Sequence, residues 1–322
     1  MNYLEILSSL ADEMEQMDRT LASVLNSDHP YLQKLHSHIL SSPGKKLRPA
    51  LLFLCSKMVE YNGNNHIIYA TVFELIHTAT LIHDDVIDDA ETRRGQETIY
   101  HGEGTVLSVL YGDLLYTKAN TLAISAGSLE VMGLISSVTE EMIEGELLQE
   151  KHAYNKAITE EDYFNILSRK TAFLFGGTAK TAGLAAGLSA KETEALYQYG
   201  FNLGISFQLV DDFLDYTGQQ DQMGKPVLSD LLAGKLTLPV IRYMRDEPQK
   251  ASALIDRIWR ETDHQALDEL AQSIRSSASF QETLDLGRKY AETAVSHLKC
   301  FRDNPAKRIL VDIPFQMLSR RT

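Results

Sequence analysis

Two carboxylate clusters carry the most chemistry in this 322-residue chain. The first, Asp84-Asp85-Val86-Ile87-Asp88-Asp89, continues the apolar run Leu81-Ile82-His83; the second, Asp211-Asp212-Phe213-Leu214-Asp215, continues an apolar run over residues 205–210. Each contains D-D-x-x-D. On a helix, residues four apart stack on one face about 5–6 Å apart, so Asp84 pairs with Asp88 and Asp211 with Asp215. Like charges so placed destabilise a helix unless something neutralises them. Mg²⁺ suits that task, because it takes hard oxygen ligands, keeps several waters and bridges carboxylates to phosphates. A single such cluster reads as a solvated acidic helix end. Two copies embedded in apolar sequence read as metal sites.

Basic residues sit close by in sequence. Gly44-Lys45-Lys46-Leu47-Arg48-Pro49 is a loop entering a helix, and Arg93-Arg94-Gly95 follows the first acidic cluster. Guanidinium forks, ammonium groups and a helix N-terminus all suit phosphate oxygens. The plainer readings are a solvated loop for Lys45, Lys46 and Arg48, and ion pairing of Arg93 and Arg94 with Asp88, Asp89 or Glu91. Acids for metal beside bases for phosphate point to two anionic substrates, one held through metals and one directly. His77 lies two turns before Asp84 on the same face, within reach of the second phosphate. His83, a lone histidine in apolar sequence, reads as a satisfied core residue. No P-loop, G-x-G-x-x-G, Ser-His-Asp or zinc spacing is present.

The elements that position these residues read as helices. Apolar residues at Leu4, Leu7, Met14, Met17, Leu21 and Val24 form an amphipathic stripe. Pro49 opens a helix at a first-turn position, where its missing N–H costs nothing. Residues 66–90, 104–126 and 128–152 read as long helices, and capping boxes at Ser189/Glu192 and Ser279/Glu282 mark later starts. Gly200 and Gly204 on the helix from Ser189 to about Tyr216 point to close helix packing. Strand alternation, hairpin signals, repeats and linkers are missing, so one all-α domain over residues 1–322 is expected, with its core motifs in 44–236. A net charge of −13 disfavours nucleic acid and anionic lipid as partners. Cys55 and Cys300 make no metal or redox spacing. The first residues carry acids where a signal peptide has bases, and no run approaches the about 18 apolar residues of a membrane span. A cytoplasmic protein is expected.

In order along the chain, GKKLRP, ELIHTATLIHDDVIDD, RRG, EGELLQ, RKTAFLF, FQLVDDFLD and GKPVLSDLLAGKLTLP together resemble the trans-isoprenyl diphosphate synthases. The resemblance implies an all-α barrel of mostly antiparallel helices with the two aspartate motifs facing each other across a central cavity. It implies condensation of isopentenyl diphosphate with an allylic diphosphate, with three Mg²⁺ ions. Asp84, Asp88 and Asp211 correspond to the main metal ligands, with Asp85, Asp212 and Asp215 supporting or acting through water. Arg93, Lys170, Lys225 and Lys235 correspond to contacts to the allylic diphosphate, with Thr171 and Gln208 lining that site. Lys45, Arg48, His77 and Arg94 correspond to the isopentenyl diphosphate site. The catalytic set is then Asp84, Asp85, Asp88, Lys170 and Asp211. The chain departs from the family at Pro43 and Leu228, where glycine is usual.

The resemblance also bears on product length. One helical turn rises ~5.4 Å, close to one isoprene unit, so Thr80 and Ala79, then Ile76, then Phe73 stand as successive floors beneath Asp84. Family members stopping at 15 or 20 carbons place an aromatic near Ala79, and this chain does not. A long-chain synthase of about 30 to 50 carbons, making a quinone side-chain precursor, is expected; EGELLQ resembles that subgroup. The alternatives are a short-chain farnesyl or geranylgeranyl diphosphate synthase, a class I terpene cyclase, or a noncatalytic binding subunit. The cyclase has no use for a second diphosphate site, and a noncatalytic subunit would have lost charged residues that this chain retains. A homodimer is expected, with a catalytic chain paired to a noncatalytic subunit as the variant of that arrangement.

Overall fold

The computed structural model describes residues 3–41, 44–93, 95–216 and 228–319. Over those residues the fold is all-α, as the periodicity requires. The chain separates into two compact units, one drawn from residues 1–139, 177–197 and 298–312, the other from 140–176, 198–297 and 313–322. No described helix is long and apolar enough to cross a membrane.

The first unit holds α1 (Tyr3–Ser8), α2 (Ala11–Val24), α3 (Pro30–Ser41), α4 (Leu47–Met58), α5 (Asn65–Ile87), α6 (Ile99–Glu103), α7 (Thr105–Ser125) and the start of α8 (Leu129–His152). Its hub is α5, which packs mainly on α7 and then on α4 and α2. The helix is apolar on most sides, the pattern of a buried helix, and it buries Tyr69, Phe73, Leu75 and Ile76. The N-terminal stripe is interrupted where the sequence pattern runs on. The Ser9 hydroxyl donates to the Ile6 carbonyl at 2.7 Å and competes with the helix ladder, so α1 and α2 are separate. Met14, Met17 and Leu21 are buried as the stripe demands; the Leu4 and Leu7 side chains lie outside the description.

Pro49 stands in the first turn of α4, which follows Lys46 in a left-handed conformation (φ 47°). The absence of strands needs one correction. Thr92–Arg93 and Gln96–Glu97 form a two-residue antiparallel pair, Thr92 opposite Glu97 and Arg93 opposite Gln96. Its turn carries Gly95 at φ +76°, a conformation that glycine adopts without Cβ strain.

The second unit holds the end of α8, α9 (Glu160–Leu167), a π turn over Ser168–Ala172, the start of α10 (Phe173–Ala185), most of α11 (Ala190–Leu214), α12 (Ser229–Leu232), α13 (Leu238–Asp246), α14 (Pro248–Glu261), α15 (His264–Arg275) and α16 (Ala278–His297). Residues of α17 (Pro305–Leu318) fall in both units. Tyr163, Leu209, Tyr216, Leu238, Ile255 and Leu270 are in the core of the second unit.

The Ser189/Glu192 capping box is present, with Glu192 N–H donating to Ser189 Oγ and the Ser189 N–H and hydroxyl donating to Glu192. The one expected at Ser279 is not. Ser279 is buried inside α16 and its hydroxyl donates to Asp246 Oδ2 at 2.7 Å, so a tertiary partner takes the group that would have capped. A box does open α9, between Thr159 and Asp162.

Candidate active site

The first acidic cluster ends α5. The Asp88 amide donates to the Asp84 carbonyl at 2.8 Å, so these residues are in register one turn apart, as the spacing requires. Asp84 is half-buried and Asp88 exposed, whereas Asp85 turns inward. There it accepts from Arg93 Nε at 2.6 Å, across side chains only 26% and 8% exposed. Arg93 thus pairs with an acid of the cluster, though not with Asp88, Asp89 or Glu91. Past the helix, Asp89 takes a left-handed conformation (φ 51°) and accepts from the Tyr100 hydroxyl, while Thr98 caps α6 and donates to the Ala90 carbonyl. These contacts tie down the turn that brings Arg93 back to Asp85.

His83 departs from the sequence reading. It is partly exposed, with Nε2 3.1 Å from the Val109 carbonyl and 3.7 Å from Asp113. Gly112 admits the ring: a Cβ there would lie 2.2 Å from His83 Nε2. The imidazole is a strut between α5 and α7 beside the acidic end of α5. Of the residues placed on the floor, Phe73, Ile76 and Ala79 are buried in the first unit. Thr80 is half-buried and returns its hydroxyl to the His77 carbonyl at 2.8 Å. His77 is half-buried, as is Arg48 beside the buried Pro49. Lys45 is exposed, and Lys46 pairs with Asp18 at 2.5 Å. Arg94 lies outside the described residues.

The second cluster ends α11, and a line of hydrogen bonds joins it to the π turn. Thr171 Oγ1 donates to Gln208 Oε1 (3.2 Å), Gln208 Nε2 donates to Asp212 Oδ1 (2.8 Å), and the Tyr163 hydroxyl donates to Asp212 Oδ2 (2.5 Å). Burial pushes the Asp212 carboxyl up to about 8, against the opposing pull of the Tyr163 and Gln208 hydrogen bonds. Both Asp212 oxygens are engaged by protein donors, so Asp212 braces the cluster from inside. Asp211 stands half-buried on the outer face, one turn from Asp215, whose amide donates to the Asp211 carbonyl at 3.1 Å. Phe213 stacks on Phe280 with centroids 4.0 Å apart, and the Tyr216 hydroxyl meets Thr237 Oγ1 at 2.9 Å, which fixes the helix end.

Close approach sets this geometry. A Cβ at Gly204 would lie 2.7 Å from Ala172 Cα, so the small residue lets α11 seat against the π turn. Wider turns of this kind within helices are frequent at functional positions, and this one carries Lys170 and Thr171. Lys170 is ion-paired with Glu146. Lys235 is half-buried after α12, its amide donating to the Asp230 carbonyl at 2.8 Å. Lys225 and Pro43 lie outside the described residues. Leu228, standing where the family has glycine, is in the left-handed region (φ 58°) with its side chain fully buried. The glycine backbone geometry is thus retained, and burial of the leucine offsets its strain of about 1–2 kcal/mol.

Among the described residues, no three carboxylate, imidazole or thiol groups converge on one point. Each cluster instead offers a pair of carboxylates one turn apart with at least one member partly exposed, a donor set suited to a hydrated hard cation whose remaining ligands come from a phosphate. The residues fit Mg²⁺ in that mode. Sequence reasoning missed Tyr163 and Glu146. Nothing local marks Tyr163, which reaches Asp212 from 49 positions away, whereas Glu146 lies in the quoted EGELLQ motif.

Residues 29–275 match the model of the family described as polyprenyl synthetase. The chain is 35% identical to the octaprenyl diphosphate synthase of Escherichia coli K12, over 97% of both chains. A decaprenyl diphosphate synthase from Rhodobacter capsulatus superposes with a TM-score of 0.93 at 30% identity, over 99% of both chains. A polyprenyl synthase from Caulobacter crescentus, complexed with calcium and isoprenyl diphosphate, gives 0.94 at 30% identity, over 100% of this chain and 98% of that one.

Proposed function

From the premise that this chain is a member of the polyprenyl synthetase family, and so a prenyltransferase, we propose how its residues divide the work of long-chain elongation. Asp84, Asp88 and Asp211 would hold the Mg²⁺ ions, three in all, that the reaction uses. Asp85, Asp212 and Asp215 hold those ligands in place. When bound, the cations neutralise charge developing on the departing diphosphate. Lys170, Arg93, Lys225 and Lys235 donate to the same oxygens, and Thr171 and Gln208 line that site. Lys45, Arg48, His77 and Arg94 hold isopentenyl diphosphate, whose double bond attacks the allylic carbon. The proton then lost goes to the released diphosphate, so no side-chain base is required. Apolar residues before each aspartate motif keep water from the allylic carbocation left when the C–O bond to the diphosphate ionises.

The observation that carries this reading is the Thr171–Gln208–Asp212–Tyr163 line, which couples the lysine-bearing π turn to the second acidic cluster. Residues 1–322 serve as one polyprenyl synthetase domain. Its product is an all-trans polyprenyl diphosphate of about 30 to 50 carbons, a quinone side-chain precursor, with small residues near Asp84 leaving room for about one isoprene per helical turn. A homodimer is favoured by α7, which exposes Val106, Leu110 and Ile124 along one face, with Asp113 as the charge among them. Cytoplasmic placement accords with the net charge of −13.

The test is incubation of the purified chain alone with farnesyl diphosphate, isopentenyl diphosphate and Mg²⁺, followed by dephosphorylation and chromatography of the alcohols. Long polyprenols support the reading. Products ending at 15 or 20 carbons refute its length, and activity only on adding a second subunit refutes the homodimer.

A further inference from the structure

Residues 144–149, Glu-Gly-Glu-Leu-Leu-Gln, have no place among the metal or phosphate ligands, yet they hold both bases of the π turn. Arg169 is bound by Glu141 and by Glu144 (2.5 Å), and its Nε donates to Asn165 at 3.0 Å. Lys170 is bound by Glu146, which also accepts from Gln149 Nε2 at 3.2 Å. The Lys170 and Glu146 side chains are only 23% and 18% exposed. The approach is built into the backbone. A Cβ at Gly145 would stand 2.7 Å from Arg169 Cβ and 2.9 Å from Lys170 N, so any other residue pushes α8 off the π turn.

We propose that Glu146, steered by Gln149 and admitted by Gly145, is the positioning residue for Lys170. The inference rests on the assignment of Lys170 to the allylic diphosphate. A lysine stem is long and flexible, and its ammonium has three donors. Glu146 occupies one and fixes where Nζ stands, which leaves the others for diphosphate oxygens. Arg169, tied to two carboxylates, is kept from competing for the same anion. A positioning contact acts on the substrate that Lys170 meets and leaves the other substrate alone.

The experiment compares full-length Glu146→Ala, Glu146→Gln, Lys170→Ala and the Glu146→Ala/Lys170→Ala double variant, assayed with farnesyl diphosphate, isopentenyl diphosphate and Mg²⁺. Glu146→Ala should raise the KM for farnesyl diphosphate about five- to tenfold, with that for isopentenyl diphosphate within about twofold of wild type. Glu146→Gln keeps an oxygen acceptor for the ammonium and should recover most of the loss. On the Lys170→Ala background, Glu146→Ala should add less than about twofold, because its effect runs through the missing lysine. Equal rises in both KM values, a lowered KM for farnesyl diphosphate, or full additivity in the double variant would overturn the role. A wild-type chain without any condensation would overturn the functional reading as well. An active wild type with an unmoved KM ratio in Glu146→Ala overturns only the positioning.

Discussion

Gly204→Ala is the sharpest probe of how the second acidic cluster is assembled. The new methyl would lie 2.7 Å from Ala172 Cα, with Phe175 Cβ at 3.2 Å and Phe175 Cδ2 at 3.3 Å. Backbone cannot swing aside as a flexible side-chain tip can, so α11 and the π turn must part by about 0.7 Å to restore ordinary contact. Carried to the adjacent Thr171–Gln208 hydrogen bond, now 3.2 Å, that shift lengthens it to about 3.9 Å, past useful range. Overpacking of this kind costs about 1–3 kcal/mol, and the gain in helix propensity returns up to about 1 kcal/mol. A net loss of up to about 2 kcal/mol lowers the thermal midpoint by up to about 3 °C in a chain of 322 residues. Thermal melts with steady-state kinetics would show both the lower midpoint and a fall in kcat/KM for the allylic primer. A midpoint that rises, with kinetics unchanged, would refute the tight seating of α11.

Ala79→Phe should shorten the main product to about 15 or 20 carbons, since an aromatic about one turn before Asp84 closes the floor early; unchanged length by chromatography would move the floor to another helix. Arg48→Ala and His77→Ala should raise the KM for isopentenyl diphosphate more than that for the allylic primer, and equal effects would show the two sites to be wrongly divided. Burial holds His36 and His66 below the usual imidazole range, so below about pH 6.5 the unfolded chain takes up protons that the folded chain refuses. Stability is therefore full above that pH and is lost as pH falls through it. His36→Gln, which can still meet the Tyr111 hydroxyl now 2.8 Å from Nδ1, should show a smaller drop in thermal midpoint between pH 7.5 and 5.5. An undiminished drop would remove His36 from the linkage.

What was legible in the sequence was whatever spacing alone determines. Apolar periodicity located α5, α7, α8 and α11, and the i, i+4 rule placed Asp84 with Asp88 and Asp211 with Asp215. Gly204 was legible as a packing residue for the same local reason. Partner choice was not, because a side chain's partner depends on elements distant in sequence. Ser279 looked like a cap until Asp246 claimed its hydroxyl, and Arg93 found Asp85 because the turn after α5 folds back on the helix. His83 read as core because its neighbours in sequence are apolar, yet it lies at the contact that Gly112 opens between α5 and α7. Glu146 was quoted within a motif, but its use needed the π turn, which no residue pattern announced.

If both aspartate clusters serve one metal-dependent ionisation and contribute little to folding, the decisive measurement is kcat of Asp84→Ala and Asp211→Ala at saturating Mg²⁺, alongside each variant's thermal midpoint without metal. Removing a carboxylate from a crowded cluster relieves like-charge repulsion, so the midpoint should hold or rise. Turnover should vanish in both variants. Near-normal kcat in either one would contradict the account.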